Sequence, residues 1–361
     1  VPTLTIDTVR VRVEPGTSIL QAAARAGITI PTLCRYDGIQ PPTSCFVCVV
    51  KVHGRKGLVP SCVAPAEEGM VVESDTDDVR AYRTAALELL LSEHAGDCEA
   101  PCRRICPCDL DIPAMARAIV AGSQPAAVSI ITERMPFPAV LGYICPAPCQ
   151  KGCRRGNVDT ALSIRDLHRR VGEAALAAGA SRPAPQAPPS GKSVAIVGAG
   201  PAGMSAAWYL SHRGHRVMVY DSRERPGGML AFGVSRDSLP LAILDGEIDP
   251  LKRQGVRFTM NTTVGRDLDL EQVEREFDAV VLATGAPSGK DAETAGLGVS
   301  LAPRGIAVQP GTFLTSRARV FACGGAIVPG KLAARSVGQG RSVALVIDRF
   351  LVDFDGPRPT P

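Results

Sequence analysis

SVAIVGAGPAGMSAAWYLSHRGHRVMVYDS, residues 193–222, reads as strand, glycine turn, helix and strand. Gly198 permits the tight turn, Gly200 lets the backbone approach a pyrophosphate, and Gly203 allows helix and strand to pack closely, with Pro201 in the same turn. The helix start supplies free N–H groups and the positive end of its dipole, and Asp221 ends the second strand where it can accept from a ribose hydroxyl. A glycine fingerprint alone is weak. Between an apolar strand and a helix it predicts a Rossmann-like α/β domain that binds a dinucleotide.

Outward from this stretch, 361 residues suffice for two or three domains with cores of their own. Aromatic residues make up only 4% while Gly numbers 36 and Pro 30, as expected where much of the chain follows ligands in loops. The net charge is +4 and the basic residues are spread out, which excludes a nucleic-acid footprint. Residues 1–13 alternate as a strand and do not resemble an export signal, and no apolar run reaches transmembrane length. The expectation is a cytoplasmic chain that is not an integral membrane protein. Twelve cysteines in that setting favour metal binding over structural disulfides.

Seven of those cysteines fall in CEAPCRRICPCDL (98–110) and CPAPCQKGC (145–153). Arg103, Arg104, Arg154 and Arg155 flank them, either as a solvated rim or to offset the charge of thiolate-bound clusters. Upstream, residues 1–78 read as short strands around one helix. A strand is expected over 4–13, EPGTS turns the chain, a helix follows at 19–26, and a strand at 49–52. Cys34, Cys45, Cys48 and Cys62 sit on a long loop and a strand end. Zinc sites usually pair two C-x-x-C knuckles, and only one is present here. Residues 79–178 read as helical, with helices at 79–91, 112–120 and 164–178, and the Ala/Pro-rich stretch 179–190 as a linker or a strap along the surface.

IPTLC (30–34), the C-x-x-C, PSC (60–62), EEGM (67–70) and LLLSEH (89–94) resemble the [2Fe-2S] ferredoxin domain of the complex I large iron-sulfur subunit and of NAD-dependent formate dehydrogenases and hydrogenases. The resemblance implies a β-grasp ferredoxin-like domain in which Cys34, Cys45, Cys48 and Cys62 ligate a [2Fe-2S] cluster. From Cys98 onward, EAPCRRICP, DIP (111–113), PFP (136–138) and GYICPAPCQKGCRRG resemble the iron-sulfur domain of the glutamate synthase small subunit and of dihydropyrimidine dehydrogenase. That family implies two [4Fe-4S] clusters with interleaved ligands: Cys98, Cys102 and Cys153 for one, Cys106, Cys145 and Cys149 for the other. Each set is one ligand short, and His94 and His168 occupy the positions where the family places the missing partners. Cys108 has no counterpart; it is a spare buried thiol or replaces His94.

ERPGGMLAFGVSRDSLP (224–240), FDAVVLATGA (277–286) and RVFACGG (319–325), followed by a helix over 331–350, resemble the FAD domain of the same glutamate synthase family. The resemblance implies that Gly227, Gly228, Met229 and Leu230 approach the isoalloxazine or ribityl chain and that Thr284 and Gly285 line the cofactor; for Met229 and Leu230 the bland alternative is plain core. Where the family has a Gly-Asp pair this chain has Gly324-Gly325, so FAD binds more loosely or Arg335 compensates. Cys323 is expected to pack beside FAD and not to bind iron. The family inserts an NAD(P)H domain between the last two motifs. No second strand–glycine–helix signature lies between 286 and 321, and that module reads as deleted.

The expectation is therefore a multidomain α/β chain: a ferredoxin-like domain (1–78), a helical domain with two [4Fe-4S] clusters (79–178), a linker (179–190) and a Rossmann-like FAD-binding domain without the NAD(P)H domain (191–361). The function that uses every feature is an electron-transfer subunit of a redox complex, carrying FAD, one [2Fe-2S] and two [4Fe-4S] clusters and handing electrons to or from a catalytic dehydrogenase or reductase subunit. Two rivals stay open: a self-contained reductase in which NAD(P)H or a small substrate meets the flavin, and a structural or assembly subunit whose cofactors are braces.

Overall fold

Two strands and a tight reversal open the first of two compact units, Val1–Asp97; the second is Cys98–Pro361. The structure is a computed structural model that describes residues 1–35, 38–92, 99–179, 187–286, 296–330 and 332–353. The strand expected over 4–13 is an antiparallel hairpin, β1 (Thr3–Ile6) and β2 (Val9–Arg12). Asp7 breaks it by taking φ 52°, and its carboxylate accepts from the Ser74 amide at 2.7 Å and hydroxyl at 2.8 Å, which pins the turn. Helix α1 (Ile19–Arg25) starts with a capping box between Ser18 and Gln21. With β3 (Val49–Val52), β4 (Leu58–Pro60) and β5 (Val71–Glu73) the sheet order is β2-β1-β5-β3-β4, in which only β1 and β5 run parallel. Leu4, Ile6, Ile19, Leu20, Val50 and Val72 form its core. Helix α2 (Asp77–Ser92) is fastened to the sheet by Arg83, which donates to the carbonyls of Val49 at 2.7 Å and Ser74 at 3.0 Å. This is a mixed β/α ferredoxin-like arrangement.

Among the described residues the second unit begins with six α-helices: α3 (Pro101–Ile105), α4 (Ile112–Val120), α5 (Gln124–Arg134), α6 (Pro138–Ile144), α7 (Pro148–Lys151) and α8 (Ile164–Ala177). Of these, α4 and α8 fall where apolar spacing predicts them. Helices α3, α5, α6 and α7 carry a proline in their first turn, where its missing N–H is no loss, so a residue that reads as a breaker is a start signal. Helices α6 and α8 meet through glycines: a Cβ on Gly172 would lie 2.6 Å from the Ala139 nitrogen, and one on Gly142 2.3 Å from the Arg169 Cβ.

A parallel sheet of order β12-β9-β6-β7-β8 follows, built from β6 (Ser193–Val197), β7 (Arg216–Tyr220), β8 (Arg257–Thr259), β9 (Ala279–Leu282) and β12 (Val320–Ala322). Its helices are α9 (Pro201–His212), α10 (Met229–Phe232), α11 (Leu241–Arg253), α12 (Leu270–Glu276) and α13 (Ala333–Asp353). Among the described residues between β9 and β12, the only strands are the two-residue pair β10 (Leu301–Ala302) and β11 (Gly305–Ile306). The order is Rossmann-like, and the strand carrying the glycine turn, β6, lies at the middle.

One apolar core runs through both parts of the second unit, joining Met115, Ile131, Phe137 and Leu141 of the helical region to Trp208, Leu244 and Ile347. Glu247 of α11, with no exposure, crosses the same boundary: its carboxylate accepts from the Ala139 amide at 3.0 Å and the Val140 amide at 2.8 Å, satisfying free N–H groups at the start of α6. The described end of the linker hugs the surface. Ser190 Oγ lies 2.7 Å from His215 Nδ1, whose Nε2 lies 3.0 Å from Asp348, while Arg213 donates to the same carboxylate at 2.6 Å. Ser190 also donates to the Gly214 carbonyl, so this chain of groups ties strap, sheet and α13 together. Among the described residues no helix is long and apolar enough to cross a membrane.

Candidate cofactor sites

In the first unit the loop after α1 gathers thiols. Cys45, Cys48 and Cys62 are buried and Cys34 is half-buried. Thr43 and Phe46 each take φ 53°, which curls the loop so that Ser44 and Cys45 hydrogen-bond the Cys34 sulfur. Burial pushes Cys34 up, but those hydrogen bonds together outweigh it and hold the thiol below its ordinary range. Cys62, reached through β4, is pushed to about 12, first by burial and then by its hydrogen bond to Cys48. Ser61 locks that contact by donating its hydroxyl to the Cys48 carbonyl at 2.6 Å. Cys34 also acts on Cys62, and Cys45 hydrogen-bonds Cys34, so each of the four thiols interacts with at least one other. A thiol-only donor set with amide N–H groups on a sulfur suits a thiolate-bound iron-sulfur cluster.

Six of the second unit's thiols, Cys102, Cys106, Cys108, Cys145, Cys149 and Cys153, lie among its described residues. Burial pushes the buried Cys102 up, and Cys153 and Cys106 both act on it in the same direction. His94 and Cys98, expected to serve with Cys102 and Cys153, lie outside the described residues. Cys106, Cys145, Cys149 and His168 line a single apolar pocket between α3, α6, α7 and α8. Burial pushes Cys149 to about 12 and raises Cys145. The His168 ring is 5% exposed, and burial takes it down to about 4. Its Nδ1 lies 2.9 Å from the Pro138 carbonyl, which can only accept, so Nδ1 carries the proton and Nε2 keeps a free lone pair. An imidazole whose other nitrogen donates to a backbone carbonyl is the arrangement of a metal-ligating histidine.

Cys108 lines that same pocket, where it lies beside Cys106 and acts on Cys145. Hydrogen bonding from Cys108 takes Cys106 down to about 6. Arg165, which the sequence did not flag, lines the pocket too and donates to the Cys145 carbonyl at 3.3 Å. By contrast Arg103 pairs with Asp109 at 3.0 Å and Arg155 with Asp159, at the surface. Among the described residues no three of these side chains converge as ligands of one metal ion do. Ligands of a polynuclear cluster stand further apart, each on its own iron.

The glycine turn sits at the carboxyl end of β6. Gly198 takes φ 110°, where a Cβ would fall 2.3 Å from the Ala283 carbonyl oxygen, and a Cβ on Gly203 would fall 1.9 Å from the Gly198 oxygen. A Cβ on Gly200 would meet nothing within 4 Å. The first and third glycines are thus filled by the protein itself, and the second faces open space before the start of α9, as approach of a pyrophosphate requires. Asp221 accepts from the Ala199 amide at 2.6 Å and the Arg223 amide at 2.8 Å, which orients its carboxylate onto the turn. The loop after β7 lies against the same turn: Gly227 donates to the Ala199 carbonyl at 2.9 Å, and Gly228 takes φ 50° with its Cα side against Gly200. Leu230 is core at 3% exposure, whereas Met229 is 70% exposed.

The last motif closes the site from the other side. A Cβ on Gly325 would lie 2.9 Å from the Ala286 nitrogen, next to Thr284 and Gly285, so these loops leave no room for side chains. The Gly324 amide donates to Gln339 Oε1 at 2.8 Å. Gln339, one turn along α13 from Arg335, is the polar group that sequence reasoning missed; Arg335 itself is exposed and lines a cavity with Pro146, Gly324, Leu332, Ser336 and Gln339. Cys323 is fully buried, and burial pushes it to about 12. Pro146 is the neighbour of Cys145, and Arg335 the neighbour of Ala334, which lines the thiol pocket. One residue of backbone therefore separates the two cavities at two places.

Comparison with known proteins agrees with this layout. Residues 3–77 match a 2Fe-2S iron-sulfur cluster binding domain, residues 80–180 the dihydropyrimidine dehydrogenase domain II with its 4Fe-4S cluster, and residues 196–241 an NAD(P)-binding Rossmann-like domain. The chain is thus a modular iron-sulfur protein: an N-terminal 2Fe-2S domain, a central 4Fe-4S domain and a C-terminal Rossmann-like nucleotide-binding domain. Its relatives are beta and small subunits of redox enzymes. It is 44% identical over 207 residues to the NADP(+)-dependent formate dehydrogenase subunit beta of Moorella thermoacetica, covering 52% of this chain and 29% of that one. It is 36% identical over 211 residues to the NAD-dependent dihydropyrimidine dehydrogenase subunit PreT of Escherichia coli (strain K12), covering 57% and 51%. With the glutamate synthase [NADPH] small chain of Bacillus subtilis (strain 168) the identity is 34% over 186 residues, covering 52% and 38%. The matches thus span between about a third and a half of each relative.

Proposed function

We propose that the chain is an electron-transfer subunit that holds FAD on the glycine turn and three iron-sulfur clusters on its thiols, and exchanges electrons with a catalytic dehydrogenase or reductase subunit. In this reading Cys34, Cys45, Cys48 and Cys62 hold the [2Fe-2S] cluster, and Cys106, Cys145, Cys149 and His168 hold one [4Fe-4S] cluster. Cys102 and Cys153, with Cys98 and His94, hold the other. Bound flavin supplies exchange between two-electron and one-electron chemistry, and the clusters supply single-electron transfer. The protein's part is placement. Gly200 and the α9 start take the pyrophosphate, Asp221 takes a ribose hydroxyl, and Gln339 orients the Gly324 amide on the closing loop. The apolar lining around Cys106, Cys145 and Cys149 keeps water from the thiolates.

The observation that carries this reading is the shared wall: Cys145 and Ala334 line the thiol pocket while their neighbours Pro146 and Arg335 line the cavity at the glycine loops. A second reading, favoured by the match of residues 196–241 to an NAD(P)-binding domain, has NAD(P) on the glycine turn and the chain oxidising or reducing it directly. Anaerobic quantification of iron, acid-labile sulfide and flavin, followed by NAD(P)H addition, separates them. About ten irons and one FAD, with flavin absorbance unmoved by NAD(P)H until a partner subunit is added, support the relay. Absence of flavin with NAD(P) tightly bound in its place supports the second reading, and about two or six irons overturn the ligand sets.

A further inference from the structure

Cys108 and Cys323 are the two thiols that the proposed ligand sets leave out, and only Cys108 lines the thiol pocket. It is 2% exposed, and its sulfur donates to the Ala334 carbonyl at 3.2 Å. That contact identifies a protonated thiol, because a thiolate facing a carbonyl oxygen would be repelled. Its sulfur also interacts with that of Cys106, two residues away on the same pocket lining. The residue is held in place from the backbone: the Pro107 carbonyl packs against α13 where residue 338 is glycine, and a Cβ there would fall 2.1 Å from that oxygen. Cys108 thus sits between the sulfur of a cluster ligand and the first turn of the helix that closes the nucleotide end.

We infer that Cys108 is not an iron ligand but a thiol rotor that sets the reduction potential of the [4Fe-4S] cluster bound through Cys106, its S–H turning between the Ala334 carbonyl and the Cys106 sulfur. The inference rests on the cluster reading above. One proton is shared between two acceptors, and a charge-assisted hydrogen bond is about twice as strong as a neutral one. When the cluster gains an electron its sulfurs become more negative, and the S–H turns from the carbonyl to Cys106. No bond to hydrogen breaks and no proton leaves the residue. A hydrogen bond that strengthens on reduction favours the reduced form and raises the potential.

The test is an EPR-monitored redox titration, with dithionite as reductant, of the full cluster-loaded chain as wild type, Cys108→Ala and Cys108→Ser. Expected is wild-type iron content in all three, a shift of one [4Fe-4S] cluster to lower potential in Cys108→Ala with the other clusters unmoved, and return of that potential toward wild type in Cys108→Ser, which keeps a donor. Loss of about four irons in Cys108→Ala makes Cys108 a ligand and overturns the inference. Full iron with an unmoved potential overturns it as well. Absence of [4Fe-4S] signals from the wild type would instead sink the cluster reading on which it stands.

Discussion

The two thiol regions are built in opposite ways. In the first unit all four cysteines come from one loop and the adjoining strand end, and the sheet beneath has a core of its own in Leu4, Ile6, Val50 and Val72. In the second unit cysteines separated by a long stretch of sequence meet among short helices whose core is continuous with that of the Rossmann sheet. A site made from one loop stands or falls with that loop. A site made between helices depends on contacts remote from any ligand, such as Glu247 on α6 and Gly338 against Pro107.

The largest effect that would sharpen this contrast is expected from Gly338→Val. Its Cβ would strike the Pro107 carbonyl, so the second unit should lose about eight irons while the visible circular dichroism of the [2Fe-2S] site persists. Equal loss from both units would break the comparison. Cys48→Ala should do the reverse, removing about two irons and that dichroism while leaving the [4Fe-4S] signals, as paired iron assays and EPR would show. Glu247→Gln should leave an α6 amide facing an N–H group and lower the second unit's resistance to denaturant by about 2 kcal/mol, with no change in the first unit's transition. Ser18→Ala, which removes the cap of α1, should cost the first unit about 1 kcal/mol in the same urea experiment and leave the second unit alone.

Legibility in the sequence followed the same division. The β6–α9–β7 segment and the helices at 112–120 and 164–177 repeat a local pattern, and local patterns are what periodicity detects. The reversal at Asp7 was overlooked although the apolar alternation changes phase across it, from Leu4 and Ile6 to Val9 and Val11. Four short helices were missed because Pro101, Pro125, Pro138 and Pro148 punctuate the chain as breakers while serving as first-turn residues. Gln339 and Arg165 were invisible for another reason: each acts on backbone far away in sequence, at Gly324 and Cys145, and nothing in a helix's composition states what its polar face will meet. The position of Cys108 is of that kind too, since only the tertiary structure brings Ala334 to it.

The thin wall between the two cavities also bears on how the protein is made. Because Cys145–Pro146 and Ala334–Arg335 each line both cavities, a group that steadies the glycine end is expected to steady the thiol end, and by linkage the reverse holds too. Nucleotide supplied during maturation should therefore raise the yield of inserted iron, and iron supply should raise nucleotide retention, by the mass-action stabilisation each gives to the folded form. The chain with neither end loaded is then the species most open to proteolysis, and each end that loads should lower that exposure.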